Sequence, residues 1–209
     1  MKTLLLTSAG MQVKEEILKI LPKPPSQVKL AHIITASKPE PDTSYVRKDV
    51  ETMQELGFQT EDIDIEGKSE AELRELLSGF DVIYVQGGNT FYLLKCARES
   101  GFDKAVKALI GRGIIYIGVS AGSIITGPNI ETSGWDPAWD TNDVNLQDLT
   151  GLNLIPFAVV PHFERKDRSV YIERAKQVPY AIRYLTDDQA FLVQDGKVTL
   201  IGTGEEIKI

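Results

Sequence analysis

Short apolar runs alternate with amphipathic segments along most of the chain, and this alternation restricts the possible folds more than any other feature of the 209 residues. A strand buried on both faces reads as a continuous apolar run, whereas a helix resting on a sheet needs only one apolar stripe. The alternation therefore implies a largely parallel sheet with helices on both sides. Strands are predicted at 3–7, 28–35, 58–65, 82–85 and 114–119. Between them, Val13, Ile17, Leu18 and Leu21 form one stripe at helical spacing, Val46, Val50, Met53 and Leu56 a second, and Leu73, Leu76 and Leu77 a third behind Ser69. Segments 89–96 and 102–109 read as helices as well. The run 114–119 is the most apolar in the chain and is expected to be a central strand. From Ala181 onward short β-type runs are separated by turn signals at Asp187, Asp188, Asp195-Gly196 and Gly202, which predicts antiparallel hairpins extending one edge of the sheet. The fold class is thus α/β, a three-layer sandwich with a mostly parallel sheet and antiparallel hairpins at the C-terminal end, in one domain spanning 1–209.

Charge and cysteine usage narrow the partners. The 23 basic and 30 acidic side chains leave a formal charge of −7, with no massed cationic run, so nucleic acid and anionic membrane are poor candidates. The single cysteine, Cys96, allows no internal disulfide. No stretch approaches the roughly 20 apolar residues of a membrane helix, and residues 1–8 are too short an apolar run for a signal peptide. A cytoplasmic protein acting as a monomer or small homo-oligomer is expected.

Gly118-Val119-Ser120-Ala121-Gly122 is a G-x-S-x-G sequence directly after the apolar run 114–119. In that position a serine sits where a strand turns abruptly into a helix; the glycines relieve crowding and the hydroxyl is exposed. Small residues also occur at ordinary strand-to-helix turns, so the pentapeptide needs support from a base. A serine hydroxyl is a weak nucleophile unless a neighbouring group takes its proton, most often histidine. Only His32 and His162 are available. His32 lies inside an apolar strand, as a satisfied core histidine would. His162 follows Ala158-Val159-Val160-Pro161 and begins a polar loop, the strand-end position where open α/β sheets bind ligands. A carboxylate should orient the imidazole; Glu131, Asp136, Asp140 and Asp143 lie between Ser120 and His162, and the residues alone do not choose among them. Gly87-Gly88-Asn89-Thr90, between a strand and a helix, reads either as a capped turn or as an oxyanion site in which the N–H groups of Gly88 and Ala121 face developing negative charge. Neither a dinucleotide nor a phosphate-loop pattern is present.

Three ordered blocks, Val85-Gln86-Gly87-Gly88-Asn89-Thr90-Phe91, Gly118-Val119-Ser120-Ala121-Gly122-Ser123 and Pro161-His162-Phe163, resemble the signatures of the peptidase E family, which includes aspartyl dipeptidase and, more distantly, cyanophycinase. The resemblance implies a fold like that of class I glutamine amidotransferases and hydrolysis of short peptides, above all dipeptides with an N-terminal aspartate. It implies Ser120 as nucleophile, His162 as general base and acid, and Gly88 with Ala121 as oxyanion hole, without metal or organic cofactor. Members place an aspartate about fifteen residues after the serine; here Trp135 has that offset, so Asp136 ranks first and Asp140 second as triad acid. Arg168 is the nearest counterpart of the arginine that recognises the substrate's aspartate. A homologue acting on β-linked or isoaspartyl peptides, or a silent binding protein, are the alternatives.

Overall fold

The computed structural model describes residues 1–135 and 140–209. Seven strands form the main sheet: β1 (Thr3–Thr7), β2 (Lys29–Ile33), β3 (Gln59–Ile63), β4 (Val82–Val85), β5 (Ile115–Val119), β8 (Gln189–Gln194) and β9 (Lys197–Gly202), in the order β3-β2-β4-β5-β1-β8-β9. The first five strands pair parallel; β8 pairs antiparallel with β1, and β9 antiparallel with β8. The most apolar strand, β5, is the middle member and is buried at every position.

Alternation along the strands sorts their side chains into two cores. Leu4, Leu6, Ile83, Val85 and Tyr116 face one layer with helices α3 (Glu70–Leu77), α4 (Thr90–Glu99) and α5 (Phe102–Gly111). Leu5, Val82, Tyr84, Ile115 and Ile117 face the other, against Ile17 of α1 (Lys14–Ile20) and Met53 of α2 (Ser44–Glu55). This period-two division is what a sheet covered on both sides requires. Helix starts are locally encoded: Ser69 and Glu72 form a reciprocal capping box for α3, and Asn89 Oδ1 accepts from the Tyr92 N–H at the start of α4.

One expectation about the C-terminal third is corrected. The segment Ala181–Tyr184 (β7) does not join the edge of the main sheet; it pairs parallel with β6 (Phe157–Val160) in a separate two-stranded sheet. Parallel neighbours need a crossover, and α7 (Arg168–Ala175) supplies it. A small aromatic core of Trp135, Val160, Phe163, Tyr171 and Tyr184 packs this unit. Among the described residues no helix is long and apolar enough to cross a membrane.

At the turn after β5 the glycines are there because backbone runs through the space a side chain would need. A Cβ on Gly118 would lie 2.5 Å from the Gly122 carbonyl oxygen, and one on Gly122 would lie 2.2 Å from that of Val85. The first clash is within the turn; the second would push α6 (Ala121–Ile124) off β4. Gly118→Ala and Gly122→Ala are each expected to destabilise the protein by about 2 kcal/mol or more, measured by chemical denaturation. Wild-type midpoints for both variants would contradict this packing.

Candidate active site

Five strand ends converge on one site. Ser8 follows β1, Gln86-Gly87-Gly88 follow β4, Ser120 follows β5, His162 lies two residues beyond β6 and Asp187 three beyond β7. All five are carboxyl ends, the side of a parallel sheet on which open α/β folds place ligands. Ser8, Gly87, Gly88, Ser120 and His162 line a cavity of about 720 Å³, within the size range of small-molecule sites.

Ser120 has φ 46° and ψ −108°, a conformation that L-residues rarely adopt. The turn is held from both sides: the Ser120 N–H donates to the Thr7 carbonyl at 3.1 Å, and its own carbonyl accepts from the N–H groups of Ser123 and Ile124 at 2.8 and 2.9 Å. The Ser123 hydroxyl also reaches the Thr7 carbonyl at 2.8 Å, tying the new helix back to β1. Backbone strain of this kind costs about 1–3 kcal/mol and persists only where the surroundings enforce it. Its effect here is to aim Oγ into the cavity.

His162 Nε2 lies 3.1 Å from Ser120 Oγ, and its Nδ1 lies 2.6 Å from Asp187 Oδ1. An ionised carboxylate can only accept, so Nδ1 carries a proton and the Nε2 lone pair faces the serine hydroxyl. The hydrogen bond from His162 is the largest influence holding the Asp187 carboxyl below its ordinary 3.8, outweighing partial burial, with a second hydrogen bond from Ser8 assisting. His32 behaves as a core histidine: it is fully buried and its Nδ1 is 2.8 Å from Asp62 on β3.

The carboxylate that meets the imidazole thus follows the histidine in sequence. Asp136 lies outside the described residues. Asp140 accepts at Oδ2 from the Thr90 N–H at 2.9 Å, capping α4 beside Asn89, and Asp143 accepts from the Thr141 hydroxyl. In the sequence Asp187 reads only as a turn residue between two short β runs; the signal that would have found it is its place just past a strand end, like that of His162. Arg168 is also placed elsewhere: exposed, it lines a separate surface depression with Arg165 and Glu205 and does not line the Ser120 cavity.

The Gly87-Gly88 turn lies against Ser120, since a Cβ on Gly87 would lie 3.2 Å from that of Ser120. Gly88 has φ 136° and approaches the Ala36 carbonyl so closely that no side chain fits. Neither the Gly88 nor the Ala121 N–H has a hydrogen-bond acceptor among the described residues. Glu40 and Asp140 form an acidic side of the cavity next to Tyr45; burial raises both carboxyls, the neighbouring Asp140 charge adds to the shift at Glu40, and the Tyr45 hydroxyl is pushed to about 12, mainly by burial. Among the described residues, Lys14 and Lys48 are the cationic side chains of Lys and Arg type that line the cavity.

A carboxyl held below its usual value stabilises the fold above that value and ceases to do so once protonated in both states. Replacing Asp187 by Asn should therefore destabilise the protein at neutral pH, and the gap to wild type should close as pH falls through and below 3.8. Denaturant unfolding across that range checks it; a gap that widens toward acid would mean Asp187 is not the stabilised anion.

The model of peptidase family S51 matches residues 4–201. An uncharacterized peptidase of Listeria monocytogenes is 40% identical over 133 residues, 63% of each chain, and a Peptidase E of Nostoc is 31% identical over 135 residues, 65% of this chain and 52% of the relative. The match thus spans less than two thirds of the length of either relative. An uncharacterized peptidase of Listeria innocua is 31% identical over 79% of this chain and 80% of its own. Among solved structures, a candidate peptidase E protein from Listeria monocytogenes superimposes with a TM-score of 0.86 at 31% identity, over 98% of this chain and 100% of that one.

Proposed function

Because the chain belongs to peptidase family S51, we propose that it is a serine peptidase that hydrolyses short peptides through Ser120, His162 and Asp187. The observation that carries this reading is the unbroken chain of two contacts, 3.1 Å from Ser120 to His162 and 2.6 Å from His162 to Asp187, at the wall of a cavity able to hold a dipeptide.

In this reading Ser120 Oγ attacks the peptide carbonyl while Nε2 of His162 takes its proton. The imidazolium formed is stabilised by Asp187 and then donates that proton to the departing amine. Water, deprotonated by the same nitrogen, attacks the acyl-enzyme and regenerates Ser120. The N–H groups of Gly88 and Ala121 receive the oxyanion; a donor of this kind contributes about 3 kcal/mol to the transition state. Ala121 is the residue directly after the nucleophile, the usual oxyanion donor at a strand-to-helix elbow.

The acidic side of the cavity, Glu40 and Asp140, suits the ammonium of a free N-terminus. An aspartate at that N-terminus remains the substrate favoured by the family likeness, but its side chain would find its countercharge at Lys14 or Lys48, which line the cavity, rather than at Arg168. We place the activity in the cytoplasm, in keeping with the lone, buried Cys96.

Ser120→Ala should abolish hydrolysis of Asp-Leu and also labelling by a fluorophosphonate. Asp187→Asn should lower kcat by about 10⁴-fold, since an amide no longer enforces the reactive tautomer, and Asp140→Asn should cost far less. Equal losses at 187 and 140, or full activity without Ser120, would reject the assignment. Across Asp-X, β-Asp-X and Ala-X dipeptides, Lys48→Ala should raise KM for the aspartyl substrates selectively.

A further inference from the structure

Ser8 is fully buried at the end of β1, and its hydroxyl joins two parts of the site that are far apart in sequence. Its Oγ accepts from the backbone N–H of His162 at 2.7 Å and donates to Asp187 Oδ1 at 2.7 Å. The hydroxyl has one proton, and the short contact to Asp187 uses it, so the 3.3 Å approach of Oγ to His162 Nδ1 is not a second donation. Asp187 Oδ1 thus accepts from both the imidazole and the serine.

The backbone at His162 explains why such a clamp is needed. Its φ is 54°, left-handed for a residue with a full side chain. Two sets of bonds hold it there: the His162 N–H to Ser8, and beyond it the Phe163 N–H to the Leu185 carbonyl with the Leu185 N–H to the Val160 carbonyl, both 2.9 Å. The second set closes the ends of β6 and β7 on each other, and the bond to Ser8 ties the His162 backbone directly to the end of β1 in the main sheet, where Ser120 sits. Ser8 is itself fixed. The Gly10 N–H donates to Thr7 Oγ1 at 3.1 Å, and the Met11 N–H donates to buried Asp49 at 3.3 Å. Gly10 lies so close over Asp49 and Tyr84 that a Cβ there would meet their oxygens at 2.5 and 2.4 Å.

We propose that Ser8 is a positioning residue of the catalytic apparatus, setting the imidazole against Ser120 by binding the His162 backbone and the Asp187 carboxylate at once. This rests on the Ser120–His162–Asp187 reading of the site. Among the described residues, Asp187 and Ser8 face the imidazole at Nδ1, Ser120 at Nε2, and Asp140 across the cavity through its charge.

The test compares wild type, Ser8→Ala and Ser8→Cys, the last keeping the size but only a weak donor, on two independent readouts. One is the low-field proton NMR signal of the His162 Nδ1–H, identified by its loss in His162→Gln. The other is the second-order rate of Ser120 labelling by a fluorophosphonate. In Ser8→Ala the low-field signal should broaden or move upfield and the labelling rate should fall at least tenfold, toward the roughly 10²-fold cost of misplacing a reacting group by an ångström. Ser8→Cys should fall between it and wild type. A Ser8→Ala protein with a lower melting temperature but an unmoved signal and a labelling rate within about twofold of wild type overturns the proposal. Should wild type resist the probe while Ser8→Ala still loses the signal, the nucleophile assignment fails and the coupling of Ser8 to the imidazole stands.

Discussion

The 2.6 Å hydrogen bond between His162 Nδ1 and Asp187 is the interaction on which the rest of the site depends. It fixes the ring's orientation with Nδ1 on the carboxylate and Nε2 aimed at Ser120. Without it the histidine is a half-buried strand-end residue in a strained conformation. Its two partners come from a parallel pair, β6 and β7, whose register places Val160 opposite Tyr184. Parallel strands end on the same side, so residues two and three positions past that register emerge together. The nucleophile reaches the same place by an independent route, from the middle strand of the main sheet.

Each component is strained on its own and held by its neighbours. Ser120 and His162 both have positive φ, and each is bound through backbone hydrogen bonds to a residue at the end of β1, Thr7 for one and Ser8 for the other. The C-terminal end of β1 thus serves as the common reference for Ser120 and His162. It is buried between β5 and β8, with helices on both faces. The glycines at 118 and 122 let backbone pass where side chains cannot, which keeps the elbow sharp. A scaffold of this kind positions reacting atoms without large movement, and well-oriented groups can account for much of a catalytic rate.

Much of this was legible in the sequence. The apolar run before Ser120 announced a central strand, G-x-S-x-G placed the turn, and with two histidines in the chain the choice of base reduced to burial, which His32 satisfies in the core and His162 at a strand end. Gly87-Gly88 was readable as a turn beside the nucleophile. The placing of Asp187 beside the imidazole was not, for a physical reason. Its position follows from β6 and β7 being parallel, which depends on α7, a helix whose only buried residue is Tyr171 and whose apolar stripe is correspondingly faint. Without that helix, Ala181–Tyr184 reads as one more hairpin strand and Asp187 as its turn. Asp140, ranked as an alternative acid from its sequence distance to the serine, caps α4 instead. Arg168 opens α7 on the surface, where the loop after His162 carries it away from the cavity.

The central claim, that Ser120 forms a covalent bond to substrate under the control of His162 and Asp187, is tested most directly by rapid acid quenching during turnover of an Asp-X dipeptide ester, followed by mass spectrometry of the digested protein. The account predicts an acyl mass increment on the peptide containing Ser120, formed in a burst by wild type and orders of magnitude more slowly by Asp187→Asn. Sustained turnover with no increment on that peptide would contradict it.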